Sequence, residues 1–218
     1  MTRPPSAPWQ LNGSGVILLY RFPKRWVLEH GMLPAALGGA FVGGVGAVML
    51  VDYTGSDVGP YQEALFIPGQ FWLGGGLVSS ITRIFVSTVA SVDGGRENWG
   101  LPKELAEFQC QGDSFRVRRG GAPLLQAEVS GYGPQLPFAT AWSPLPLVLA
   151  QLREGSLYRT RPAGTGALQL ARVRRLEIDG SQFPDVSRFQ PFLAVRATGF
   201  QLTFPVSQVR KSATSTGR

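Results

Sequence analysis

The 218-residue chain contains only three lysines, Lys24, Lys103 and Lys211, against eighteen arginines. Surface charge has been left to arginine, so a lysine set among apolar residues calls for its own explanation. Arginine keeps its proton, whereas lysine can lose it and become a nucleophilic amine. Lys103 stands in Gly94-Gly95-Arg96-Glu97-Asn98-Trp99-Gly100-Leu101-Pro102-Lys103-Glu104-Leu105-Ala106, a glycine-rich turn that follows strand-like sequence. The competing reading is a short helix opened by Pro102, with the Lys103 stem on the surface and its ammonium in water. Glu63, Asp57 and Glu97 are candidate acid–base groups, Arg96 and Arg83 candidate clamps for a substrate carboxylate, and Asn98 and Tyr61 candidate hydrogen-bond donors. Structural roles stay open beside these: Glu63 can pair with Arg96, and Tyr61 and Trp99 can simply pack.

The rest of the composition removes whole classes of chemistry. A single cysteine, Cys110, excludes an internal disulfide and any multi-cysteine metal site. One histidine, His30, leaves little room for a histidine-based triad or a zinc centre. The net charge of +7 comes from scattered arginines. The densest cluster, Arg116, Arg118 and Arg119, alternates as one face of a strand does, so no nucleic-acid partner is expected. Met1 to Pro8 is polar and proline-rich rather than a secretory signal, which predicts a cytoplasmic protein. Residues 31–51 carry no charge and are long enough to cross a bilayer. Pro34 and six glycines argue against a membrane helix there, and 40–51 reads as a long strand buried on both faces.

The elements that must position Lys103 are mostly strands. Residues 15–22 predict a first strand, Pro23 to Met32 a short helix, and Glu63 to Ile67 a further strand. Ser80 to Ser91, β-branched and largely alternating, reads as the clearest strand of all. From Phe108 onward strand and turn repeat, with Leu147 to Arg153 either helix or strand. The expected architecture is mainly β: one mostly antiparallel, barrel-like domain over residues 1–206 with a few short helices, then a disordered basic tail over 207–218.

Tyr53-Thr54-x-Ser56, Gly59-Pro60-Tyr61-x-Glu63 and Gly95-Arg96-Glu97, followed after four residues by Pro102-Lys103, resemble the acetoacetate decarboxylase superfamily. The resemblance implies a cone-like β-barrel, a homo-oligomer, and a lysine at position 103 that forms a Schiff base with a carbonyl substrate. No metal or organic cofactor is needed, because the protonated imine is itself the electron sink. Such a lysine must have its pKa pulled down by burial or a neighbouring cation. This chain departs from the family pattern at three places: Glu104 replaces a second lysine, Gly55 replaces an active-site glutamate, and no basic residue lies near Gly13 where a substrate-side arginine would fall.

Three functions follow from these residues. The first is a lyase-type enzyme using Lys103 and Glu63 on a keto acid or other carbonyl compound, with Arg96, Tyr61, Asn98, Trp99 and Arg83 around the substrate and Glu104 modulating the lysine. The second is a non-catalytic barrel that binds an apolar or carbonyl ligand, Lys103 being held protonated by Glu104. The third is a membrane-associated protein anchored through 31–51.

Overall fold

Period-two alternation of apolar residues sets most of the backbone. The computed structural model describes residues 4–143 and 147–211. Its elements are β1 (Trp9–Tyr20), α1 (Lys24–His30), α2 (Ala35–Gly38), β2 (Phe41–Gly43), β3 (Gly46–Gly55), β4 (Tyr61–Ile67), β5 (Gln70–Leu73), β6 (Gly76–Ser79), β7 (Arg83–Val86), α3 (Val89–Trp99) and β8 (Lys103–Leu105). There follow β9 (Glu107–Gln111), β10 (Ser114–Arg119), β11 (Ala122–Ala139), β12 (Leu149–Arg153), β13 (Ser156–Thr160), β14 (Ala163–Ile178), β15 (Leu193–Phe204) and β16 (Gln208–Lys211).

The strands form a ten-stranded sheet in the order β8-β7-β4-β3-β1-β15-β14-β11-β10-β9 and a six-stranded sheet in the order β16-β13-β12-β6-β5-β2. The long sheet curls into a nearly closed barrel. Its two edge strands, β8 and β9, are consecutive in the chain, and Ala106 between them donates its N–H to the Val86 carbonyl at 2.9 Å. All strand pairs run antiparallel except β7 with β8 and β6 with β12. The expectation of a mainly β, mostly antiparallel barrel-like fold with a few helices therefore holds.

Alternation divides the long sheet's side chains between two cores. On one face Leu18, Val48, Phe66, Phe85 and Val117 pack with Phe71, Val78 and Ala150 of the short sheet. On the other, Val51, Tyr53, Tyr61, Ile84 and Val86 pack beneath α3 and the two tryptophans Trp9 and Trp99. Lys103 belongs to this second face.

Four expectations need correction. Residues 80–91 are not one strand: β7 covers only Arg83–Val86, and α3 begins at Val89. Thr88 interrupts the run by capping the helix, its hydroxyl accepting from the Ser91 N–H at 3.3 Å. Residues 40–51 are likewise divided, because Gly43 (φ +112°) and Gly44 (φ +92°) turn the chain through conformations open only to glycine. β2 and β3 then enter different sheets, and no helix among the described residues is long and apolar enough to cross a membrane. The short helix expected from Pro102 is the strand β8 instead. Finally, the stretch expected to be disordered from 207 contributes β16, paired with β13 from Ser156↔Lys211 to Arg159↔Gln208; 212–218 lies outside the described residues.

Helix α3 ends where Gly100 adopts a left-handed conformation (φ +64°) and returns its N–H to the Arg96 carbonyl at 3.1 Å. A Cβ at Gly100 would lie 2.8 Å from Tyr158 Cδ2, so strain and crowding coincide. Gly100→Ala is expected to cost about 1–2 kcal/mol, seen as a fall of several degrees in the thermal midpoint. An unchanged midpoint would show that the turn into β8 does not need glycine.

Candidate active site around Lys103

Residues that are neighbours along a strand point to opposite faces of its sheet. On β8, Lys103 enters the core beneath α3, while Glu104 goes to the other side. There Glu104 takes ion pairs from both Arg83 and Arg119. Arg83 also donates to the Gln182 carbonyl at 2.6 Å, and the guanidinium groups of Arg83 and Arg119 lie 4.9 and 5.3 Å from the Phe85 ring. Glu104 is therefore satisfied without touching the lysine amine.

The partner of Lys103 is Glu63, on β4. Lys103 Nζ lies 2.9 Å from Glu63 Oε2, and their side chains are only 3% and 6% exposed. Lys103 also donates to Ser91 Oγ at 3.0 Å and sits 4.9 Å from the centre of the Tyr61 ring. The Tyr53 hydroxyl donates to the other Glu63 oxygen at 3.3 Å, and the Tyr53 and Tyr61 rings are 4.6 Å apart. Strands β4 and β8 and the first turn of α3 thus converge on one amine, and β3 holds its carboxylate partner.

The helix can come this close because the side it presents is small. Ser91, Gly94, Gly95 and Asn98 recur at helical spacing along one side of α3. A Cβ at Gly95 would lie 2.5 Å from Lys103 Cδ, so the lysine stem occupies the space a side chain would take. Gly94 makes the same room for the Trp9 ring.

Burial by itself pulls the Lys103 pKa down, but the Glu63 carboxylate, and after it Tyr61, push it up, and the net direction is upward. The resting amine is an ammonium. Tyr61 is pushed up to about 12, chiefly by burial and against the pull of Lys103. Tyr53 is raised well above its ordinary value by burial and then by Glu63. Both tyrosines keep their protons at neutral pH, and the Tyr53 hydroxyl serves as a donor to Glu63.

Next to this cluster, on the same face of the sheet, lies a cavity of about 170 Å³ whose walls include Ile17, Met49, Val51, Tyr53, Phe138 and Phe200. Tyr53 is common to both: its ring lines the cavity and its hydroxyl reaches Glu63. Among the described residues there is no group of three or more His, Cys, Asp or Glu that could hold a metal ion.

The sequence profile of the acetoacetate decarboxylase family matches residues 1–145 of this chain. The chain belongs to the acetoacetate decarboxylase family. Solved structures with the same fold include the acetoacetate decarboxylase of Legionella pneumophila (18% identity, TM-score 0.69, covering 96% of this chain and 90% of that one). Another acetoacetate decarboxylase aligns at 12% identity and a TM-score of 0.73, covering 95% and 90%. The enduracididine biosynthesis enzyme MppR aligns at 13% and 0.67, covering 96% and 90%. At these identities the likeness is one of fold. No curated protein matches the chain by sequence.

One of the departures from the decarboxylase pattern, at Gly13, is built into the packing. A Cβ at Gly55 would lie 2.6 Å from Asn12 Nδ2, and one at Gly13 would collide with the Asp52 carbonyl across the β1–β3 pairing. Gly13, pressed against backbone, has no room for a side chain, whereas at Gly55 only the movable end of the Asn12 side chain stands in the way.

Of the residues singled out from sequence, the fold gathers Lys103, Glu63 and Tyr61 and disperses the others. Arg83 and Glu104 lie on the opposite face, and Arg96 is exposed on α3. Asn98 holds the N-terminal segment, accepting from the Ala7 N–H at 3.1 Å and donating to the Pro5 carbonyl at 3.0 Å. Trp99 packs on Trp9 and Phe204 and donates to the Pro205 carbonyl at 2.7 Å. Asp57 accepts from the Gln10 N–H at 2.6 Å, near the barrel's rim. Sequence reasoning missed two site residues. Tyr53 was in view within the Tyr-Thr-x-Ser motif, whereas Ser91 was hidden at the end of a misread strand.

Removing one member of a buried ion pair strands the other, so Glu63→Gln is expected to destabilise the protein by about 3–5 kcal/mol at neutral pH. In the wild type the raised lysine pKa contributes stability below about pH 10.5, the unfolded value, and that contribution is lost as pH rises through the folded pKa. In the variant burial is opposed only by Tyr61, so the folded pKa is expected to fall below the unfolded one and the deficit should shrink as pH rises towards about 10. Denaturant unfolding of both proteins between pH 6 and 10 measures this; parallel curves would contradict the pairing.

Proposed function

We propose that this chain is a Schiff-base-forming, lyase-type enzyme acting on a small keto acid or other carbonyl compound, with Lys103 as its nucleophile. The observation that carries this reading is the buried amine, held by a single carboxylate at 2.9 Å while Glu104 is taken up by two arginines on the far face. A lysine placed there for surface charge would not be 3% exposed.

The pair supplies the proton that the reaction must move. Transfer from the Lys103 ammonium to Glu63 leaves a neutral amine and a carboxylic acid, with no change in total charge. The amine then attacks the carbonyl carbon, water leaves, and the protonated imine draws electrons from the adjacent bond toward nitrogen. Glu63 can return its proton to the departing oxygen, while Ser91 and Tyr61 keep the nitrogen directed. MppR, related in fold, has been solved with pyruvate and with the condensation product of pyruvate and imidazole 4-carboxaldehyde, which supports a carbonyl ligand in this architecture. Exposed Tyr132, Leu136 and Leu170 on β11 and β14 support a homo-oligomer.

A second reading, a non-catalytic barrel for an apolar or carbonyl ligand, is favoured by the upward pKa of Lys103. In that reading Glu63, not Glu104, holds the ammonium. One experiment separates the two. The protein is incubated with a panel of β-keto acids and aldehydes, reduced with borohydride and mapped by mass, with Lys24 and Lys211 as internal controls. The enzyme reading expects an adduct concentrated on Lys103, abolished by Lys103→Met and unaffected by Glu104→Gln. Absence of a Lys103 adduct across the panel would leave the binding reading.

A further inference from the structure

We propose that the carbonyl compound taken by this site is neutral and apolar, a ketone or aldehyde with a hydrocarbon body of roughly six carbons and no carboxylate. This inference rests on the Lys103 reading and narrows its substrate. The cavity beside the cluster measures about 170 Å³, and none of the described residues that line it is charged. The space is half open to solvent at the Thr165 and Gln201 rim, and an apolar volume of about 150 Å³ accommodates a benzene-sized guest. Tyr53, at the boundary between cavity and cluster, directs its hydroxyl to Glu63. A ligand whose body fills the apolar space therefore presents its polar end to Tyr53, and the Tyr53 ring must turn aside for the carbonyl to reach Lys103.

Among the described residues a carboxylate would meet no counter-charge along this route. Arg83 and Arg119 are engaged by Glu104 on the opposite face, Arg96 is exposed on α3, and the Lys103 ammonium is already neutralised by Glu63. An anion moved from water against such apolar walls loses part of its hydration without replacement. With a neutral substrate the enamine arises by loss of a proton, not of carbon dioxide. The Lys103 ammonium and the ketone give a protonated imine and water, and the Glu63 carboxylate then takes a proton from the adjacent carbon, leaving a neutral enamine and a carboxylic acid. That enamine is ready for carbon–carbon bond chemistry, and its formation reverses without loss of atoms.

The test compares 2-hexanone with 2-oxohexanoate, which differ by a methyl group in place of a carboxylate. Dissociation constants are measured by calorimetry, and Lys103 adducts by borohydride reduction and mass mapping. The wild type is expected to bind the ketone at least about tenfold more tightly than the acid. Gln201 lines the cavity and is exposed, so Gln201→Arg can add a cation at the rim; it should strengthen acid binding by about two- to fivefold. Its melting curve verifies that the variant is folded. Equal or tighter wild-type binding of the acid overturns the inference, and a Lys103 adduct with the acid alone does the same while leaving the Schiff-base reading intact. Selective binding of the ketone without any adduct supports the ligand class and removes Lys103 as nucleophile. Failure of both ligands to bind overturns the inference.

Discussion

The buried contact between Lys103 and Glu63 is the constraint around which this end of the barrel is arranged. Two opposite charges removed from water repay their desolvation only when the geometry is close and the remaining polar atoms have partners. Each requirement is met by a different element. β4 brings Glu63 to 2.9 Å, α3 brings Ser91 to the amine, and β3 brings the Tyr53 hydroxyl to the second carboxylate oxygen. The aromatic rings of Tyr53 and Tyr61 and the body of α3 exclude water from the group. The poor helix-forming sequence of α3 follows from the same contact. Two glycines weaken the helix, yet any side chain at Gly95 would displace the lysine stem. Packing decides against propensity here.

Charge is segregated by the sheet itself. The far side of β7 and β8 carries the Arg83–Glu104–Arg119 group, partly open to solvent, and the near side carries one neutralised pair among apolar and aromatic residues. A carboxylate next in sequence to the lysine would favour its charged form if the two met, but the pleat points them apart. The upward shift of the lysine comes from Glu63, a group able to receive the proton in a concerted exchange. In the proposed reaction a raised pKa and a reactive amine are compatible, because arrival of a carbonyl would drive the transfer that bulk pH does not. The same segregation leaves the adjoining cavity without a cation among its described lining residues, and the proposed ligand class follows from that.

Legibility followed the range of the interaction. The mainly β character, the lysine and Glu63 were readable because each is carried by local alternation or by a short motif. Ser80 to Ser91 misled because β-branched residues favour strands on average, whereas Thr88 and Gly100 supplied caps that let tertiary contacts impose α3. The glycines at 43 and 44 looked like bends within one strand and are the point where the chain changes sheets. Arg96 and Asn98 lay close to Lys103 in sequence, yet the intervening helix end and turn send one to the surface and the other to the N-terminal segment.

The sequence by itself determined the chemistry on offer: a lone lysine among apolar residues, a carboxylate in a neighbouring motif, no histidine or cysteine set for other mechanisms, and enough alternating strands for a barrel. These properties belong to residue types and short spacings, which are fully present in the linear chain. Only the tertiary structure decided which carboxylate meets the lysine. Glu104 is one residue away and lies across the sheet; Glu63 is forty residues away in sequence and lies in contact. The physical reason is the strand pleat, which separates adjacent side chains, combined with the pairing of β4, β7 and β8, which brings distant ones to a common face.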